Sequence, residues 1–119
     1  NQVKKSLNGS KVLVLGVAYK QDIDDYRESP ALHVIDKLEQ SGAEVKYYDP
    51  YVPEYRDRGV IRKGEENLTS ALLQSVDLVI ITTAHSNIDY EFVQANAAMI
   101  FDTKNVMKHV KKRDNIQLL

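Results

Sequence analysis

The run Val12-Leu13-Val14-Leu15 is unbroken in its apolar character, half of it β-branched, and it is bounded by Gly9 and Gly16. A strand that faces water on one side carries a polar residue at every second position. A run with none is expected to be buried on both faces, the condition of a strand inside a parallel sheet covered by helices. Leu78-Val79-Ile80-Ile81 repeats the pattern and is expected near the centre of the same sheet. With 119 residues, 43% of them hydrophobic, the chain can enclose one such core and reads as a single domain.

The remaining segments alternate around those runs. Ser29-Pro30 places an N-cap before a proline at the first helical position, and Leu32, Ile35 and Leu38 recur on one face until Gly42, which predicts a helix between them. A second strand is predicted from Glu44 to Tyr48, ended by Asp49-Pro50. The stretch on to Gly64, with Pro53 in it, reads as an irregular charged connection. A second helix is expected from Leu68 to Ser75 and a short third one around Tyr90, Phe92 and Val93. A fourth strand at Met99-Ile100-Phe101 ends at Asp102, and a last strand runs from Ile116 to Leu119. Right-handed crossovers then put helices on both faces of an open, mostly parallel α/β sheet in three layers.

Charge and cysteine content narrow the function. The 16 basic and 17 acidic residues are interspersed and leave a net charge of -1, so no broad positive field draws in nucleic acid or an anionic membrane. Cysteine is absent, which excludes disulfides, zinc–thiolate centres and a cysteine nucleophile in this piece and fits a reducing compartment. No apolar run approaches the ~20 residues of a membrane helix, and Asn1-Gln2-Val3-Lys4-Lys5 lacks a signal-peptide core. A soluble, cytoplasmic protein is the expectation. The first residue is Asn1 and not methionine, so the chain is expected to be an excised or processed piece, with residues 1–10 the remnant of a preceding linker. His33 and His109 have no companions at metal-ligand spacing and read as solvated, and no metal site is expected.

Ligands of open α/β sheets sit beyond the carboxyl ends of the strands. That selects Gly16 to Arg27, Asp49, Thr82 to His85, and Asp102 to Asn105. The first segment is the richest, and it is long for a strand-to-helix connection, where about 2–6 residues suffice. Lys20 supplies a point charge and Arg27 a bidentate fork suited to phosphate, while Tyr19 can pack against a base or sugar. Asp22, Asp24, Asp25 and Glu28 would repel a diphosphate, so they are read as supports that hold Lys20 and Arg27. With residue identity set aside, a loop of merely solvated charges is an equal reading. Gly16 has no partner glycines at dinucleotide spacing, so the segment is not expected to cradle NAD. Asp49-Pro50 reads as a strand-end turn, His85 as a residue that orders its loop by hydrogen bonding and not as a base, and Tyr47, Tyr48, Tyr51 and Tyr55 as packing around the second strand.

Gly16-Val17-Ala18-Tyr19-Lys20, followed by Asp22, Asp24-Asp25 and Arg27-Glu28-Ser29-Pro30, resembles the opening of the UDP-binding domain of the UDP-glucose/GDP-mannose dehydrogenase family. The likeness continues through Tyr48-Asp49-Pro50-Tyr51-Val52-Pro53, through Asp77 to Thr83 with His85 beyond, and through Phe101-Asp102-Thr103-Lys104-Asn105. Tyr19 and Ile23-Asp24-Asp25 are most similar to bacterial members that oxidise UDP-N-acetyl-hexosamines. The resemblance implies a Rossmann-like fold and a C-terminal UDP-sugar-binding domain of an NAD-dependent UDP-sugar 6-dehydrogenase. Such enzymes oxidise the sugar C6 alcohol to a uronic acid for polysaccharide biosynthesis, through a cysteine thioester in another domain. By position it implies that Tyr19 and Lys20 contact the substrate, that Lys104 stands where many members have a substrate-contacting arginine, and that Arg27 reaches the NAD held by the N-terminal catalytic domain. Lysine at 104 keeps the charge and loses the fork. It further implies a homo-oligomeric parent enzyme and an inactive isolated piece.

Two other readings stay open. A phosphorelay receiver domain would use Asp49 as phospho-acceptor, with Asp24-Asp25, Thr82 or Thr83 and Lys104 around it, although Tyr19-Lys20 separates the acids from the first strand, where magnesium would need them. A stand-alone module that binds nucleotide sugars without turnover fits the same sequence.

Overall fold

The computed structural model describes residues 8–110 and 114–118. Five parallel strands, β1 (Lys11–Leu15), β2 (Glu44–Tyr48), β5 (Leu78–Ile81), β6 (Ile100–Asp102) and β7 (Ile116–Leu118), form one sheet in the order β2-β1-β5-β6-β7. The continuous apolar runs are explained by the pleat. Val12 and Val14 of β1, with Leu78 and Ile80 of β5, point to one face, while Leu13, Leu15, Val79 and Ile81 point to the other. Both faces are covered. Helix α1 (Pro30–Gln40) packs Ala31, Ile35 and Leu38 on the first; α2 (Ser70–Ser75) and α3 (Tyr90–Asn96) pack Leu72, Leu73 and Val93 on the second. The expected three-layer α/β domain is therefore present, with β5 in the middle of the sheet.

The helix ends follow their sequence signals. Ser29 caps α1 by accepting from the Ala31 amide at 3.3 Å, and Gly42 ends the helix with φ of 93°. Helix α2 starts at Ser70 and not at Leu68, because the Thr69 hydroxyl accepts from the Leu72 amide and fixes the boundary there. Strand β6 likewise begins at Ile100, one residue later than expected.

The stretch after β2 corrects the sequence reading. Residues 54–63 are not irregular: β3 (Glu54–Asp57) and β4 (Val60–Lys63) make an antiparallel hairpin. Its two-residue turn, Arg58-Gly59, has φ of 50° and 79°, the pattern of a type I′ turn. Tyr55 on the hairpin is buried and packs against Tyr47 of β2 and Tyr26, at ring separations of 5.3 and 5.7 Å. Burial pushes the Tyr55 hydroxyl up to about 12 and the Tyr47 hydroxyl higher still. Tyr47 donates to the Val52 carbonyl at 2.9 Å, so its polar tip is satisfied inside the core. Tyr48 and Tyr51 are half-buried against the same strands, as a packing role requires.

His33 is exposed. Residues 1–7 of the expected linker remnant, the side chain of His109, and Leu119 lie outside the described residues. Among the described residues no helix is long and apolar enough to cross a membrane.

Candidate functional site

Because all five strands are parallel, the segments after β1, β2, β5 and β6 emerge on one edge. The chain runs from β1 outward to β2 and then returns to β5 on the other side of β1, so the reversal lies between the ends of β1 and β5. Such a switch point usually opens a crevice. Here it is sealed. Gly16, at φ of 90°, lies so close to the chain after β5 that a Cβ on it would stand 2.9 Å from both the Thr83 N and O atoms. The Thr83 hydroxyl donates to the Ala18 carbonyl at 2.8 Å, and the Thr82 hydroxyl bonds the Leu15 and Gly16 carbonyls.

Beneath the long first loop lies a buried polar network. Asp49, 3% exposed at the end of β2, accepts at Oδ2 from the amides of Val17 (2.8 Å) and Ala18 (3.0 Å), and at Oδ1 from the Tyr51 amide (2.8 Å). His85, fully buried, stands with Nε2 2.9 Å from the same Oδ2. The Asp22 amide donates to His85 Nδ1 at 2.8 Å. That bond fixes the tautomer: Nδ1 is the acceptor and Nε2–H donates to Asp49. Burial pushes the Asp49 carboxyl up, but the His85 bond and the amides of Tyr51 and Val17 outweigh it and leave the group below its ordinary range. Tyr51 packs against the imidazole with the rings tilted and their centres 4.8 Å apart, and the Tyr90 hydroxyl donates to the His85 carbonyl at 2.7 Å. Asp49 is thus the expected strand-end turn residue and also the anchor of the first loop. With both its oxygens engaged, it offers no free oxygen to a phosphoryl donor, and this removes the receiver reading.

The loop acids do only part of what the sequence suggested. Asp25 holds Arg27 in a two-point grip, with Nε 3.1 Å from Oδ1 and Nη2 3.2 Å from Oδ2. The Arg27 side chain and amide keep the Asp25 carboxyl below its usual range. Asp22 instead turns to the segment after β5, accepting from the Ser86 amide and hydroxyl, both at 2.8 Å. The Ser86 amide, then its hydroxyl, hold that carboxyl low. No acid holds Lys20 among the described residues, so its expected partner is a correction: Lys20 projects exposed and unpaired.

The structure brings Tyr19 and Arg27 together. With Asp25 and Glu28 they line an open depression of about 420 Å³, over which Tyr19 is 49% and the Arg27 side chain 82% exposed. Lys20 adjoins that depression in the chain without lining it. Lys104 is exposed on the loop after β6, two strands across from β1. Its loop is set by Asp102, a buried carboxylate that accepts from the amides of Lys104 (3.0 Å), Val106 (3.2 Å) and Met107 (2.8 Å).

The model of the UDP-glucose/GDP-mannose dehydrogenase family, UDP binding domain, matches residues 13–109. The chain belongs to that family. It is similar to the UDP-N-acetyl-D-mannosamine dehydrogenase of Methanocaldococcus jannaschii, 34% identical over 113 residues, covering 88% of this chain and 24% of that protein. The UDP-glucose 6-dehydrogenase of Rickettsia bellii is 32% identical over 111 residues, covering 87% and 26%. The structure of the UDP-N-acetyl-mannosamine dehydrogenase Cap5O from Staphylococcus aureus superposes with a TM-score of 0.68 at 36% identity, over 98% of this chain and 27% of that one. The chain spans about a quarter of the length of the relatives it matches.

His85 and Asp49 are sealed and fully hydrogen-bonded, so neither is placed as a general base. The turn after β1 carries a single glycine, and Thr83 fills the space beside it, which leaves no room for a pyrophosphate to approach the backbone.

Sequence reasoning assigned no role to Ser86, Tyr26 or Asp102. Tyr26 accepts from the Arg56 amide at 3.3 Å and fastens the loop to the hairpin, which was itself missed. Asp102 had a usable signal: like Asp49, it directly follows an apolar strand, and an acid there suits the free amides of the next turn.

Proposed function

We propose that this chain is the C-terminal substrate-binding domain of an NAD-dependent UDP-sugar 6-dehydrogenase, joined through residues 1–10 to an N-terminal catalytic domain. The observation that carries the reading is the pairing of Tyr19 and Arg27 over one open depression, with Lys20 beside it, on a loop pinned from below. Tyr19 stacks on the nucleotide, Lys20 meets the diphosphate as a point charge, and Lys104 approaches from the loop after β6. Strands lie 4.7–4.9 Å apart, so the ends of β1 and β6 stand roughly 10 Å from each other, a span that one nucleotide sugar can bridge. Arg27, held by Asp25, keeps N–H groups free for the NAD of the other domain. Domain closure over the substrate positions it without any reacting group on this side. The substrate class is the UDP-N-acetyl-hexosamines, supported by the names of relatives such as those from Methanocaldococcus jannaschii and Staphylococcus aureus. The parent is a cytoplasmic homo-oligomer.

Lys20→Ala in the full-length enzyme is expected to raise the UDP-sugar KM roughly ten- to a hundredfold, the loss of one charge-assisted contact, with a smaller change in kcat. Steady-state kinetics with the purified enzyme decides it, and an unchanged kcat/KM removes Lys20 from the site. The isolated chain, having no cysteine and no NAD cradle, is expected to give no NADH absorbance with any UDP-sugar. Measurable turnover by the chain alone would place the chemistry here.

A further inference from the structure

Two hydrogen bonds leave the His85 ring, and they reach different parts of the molecule. Nε2–H ties the segment after β5 to Asp49, deep under the start of the loop, where the Val17 and Ala18 amides and the Thr83 hydroxyl already fix the backbone. Nδ1 reaches outward to the Asp22 amide. The arc from Tyr19 to Asp25 is closed on itself by the Tyr19 amide, which donates to the Asp25 carbonyl at 2.6 Å. Among the described hydrogen bonds, Asp22 is the one residue of that arc attached outside the loop. Both attachments come from the segment after β5: His85 takes its amide, and Ser86 grips its carboxylate. Asp22 also sits at φ of 62°, a left-handed conformation that aspartate adopts more readily than most non-glycine residues.

We infer that His85 is a positioning residue for the substrate-facing arc, and that it acts through Nδ1 on Asp22, while its bond to Asp49 serves the fold. This rests on the reading of Tyr19 and Lys20 as substrate contacts. Their direction is set by how the arc is pinned at Asp22, so releasing that pin lets Tyr19 and Lys20 swing while the core stays closed. The loss falls on binding that is shared by ground and transition states, hence on KM more than on kcat.

Asparagine and glutamine separate the two bonds. An Asn side chain places its oxygen near the position of Nδ1, and Gln places its amide nitrogen near that of Nε2. In the full-length dehydrogenase, His85→Gln, which keeps the Asp49 contact and drops the Asp22 one, is expected to raise the UDP-sugar KM about tenfold, the effect of one lost hydrogen bond, with kcat within about twofold. His85→Asn is expected to lower the Tm while holding KM within about threefold. Asp22→Gly tests the neighbouring Ser86 grip on the same residue. It keeps the left-handed conformation and the amide but removes the Ser86 grip, and it too is expected to raise KM several-fold. Lys20→Ala is the reference. A raised KM in Lys20→Ala with none in His85→Gln overturns the positioning role of His85 alone, whatever Asp22→Gly shows, as does a raised KM in His85→Asn without one in His85→Gln. An unmoved KM in all four variants overturns the substrate-site reading beneath it.

Discussion

Gly16→Ala is expected to lower the stability of this domain by about 2–5 kcal/mol, a large share of the ~5–15 kcal/mol that holds a domain of this size. Two costs add. A residue with a Cβ at φ of 90° loses about 1–2 kcal/mol relative to glycine. Its new methyl group would also press on Thr83, reaching 2.9 Å from both backbone N and O, and overpacking against backbone costs about 1–3 kcal/mol. Thr83 cannot retreat easily, because its hydroxyl holds the Ala18 carbonyl and its amide bonds the Leu15 carbonyl at 3.3 Å. A drop in Tm of about 10–20 °C in a circular-dichroism melt is the expected result, with the urea midpoint moving and the m-value unchanged. Gly59→Ala provides the comparison. Gly59 has φ of 79° but nothing within 4 Å of its missing Cβ, so only the conformational cost applies. If the two variants melt within about 3 °C of each other, the close approach of β1 and β5 is not as described.

The same pair of strands shows how much of this fold was legible in the sequence. A strand buried on both faces cannot hide its composition, so Val12–Leu15 and Leu78–Ile81 announced the sheet, its parallel character and its centre. The caps at Ser29 and the stop at Gly42 were legible for the same reason, each being a local demand of the backbone. The hairpin was not. Type I′ turns favour Asn-Gly or Asp-Gly, and here Arg58 occupies the first position. The Arg58 side chain bonds Asp36 on α1, and Arg62 bonds Glu39, so charges of a stretch that read as an irregular connection are tied to the helix beside them. That tertiary contact has no local signature.

At the site the division is similar. The loop from Gly16 to Pro30 could be singled out because it is too long and too varied in chemistry for a simple connection, and the structure places Tyr19 and Arg27, but not Lys20, around one depression. What sequence could not assign was which acid serves which partner. Asp22 lies 63 positions from His85 and 64 from Ser86, and only the adjacency of β1 and β5 brings them together. Charge balance alone suggested only that the four loop acids would hold Lys20 and Arg27, without saying which acid served which cation. Ser86 of the neighbouring loop supplied the stronger partner for Asp22, a backbone amide and a hydroxyl against one flexible and well-hydrated ammonium.

Asp49→Ala is the second large effect expected, a loss of about 3–5 kcal/mol, because it leaves the Val17, Ala18 and Tyr51 amides and the His85 Nε2–H without an acceptor. Asp49→Asn should cost less, about 1–3 kcal/mol. Its oxygen can replace Oδ2 and serve three of the four donors, while its NH2 group meets the Tyr51 amide donor to donor. The two variants also separate charge from shape as pH falls. The native state holds the Asp49 carboxyl below its ordinary value of 3.8, so between the two pKa values the unfolded chain binds more protons than the folded one. Stability gained from the carboxylate is therefore complete above about pH 4 and is lost as pH falls through the lower, folded value. Asp22 and Asp25 are also held low, but they are common to wild type and variant and cancel in the difference. Urea titrations of wild type and Asp49→Asn from pH 7 down to pH 3 should show a constant gap to about pH 4, then a narrowing one. A gap that stays constant or widens below pH 4 would mean that the buried carboxylate is not the ionised anchor of the loop.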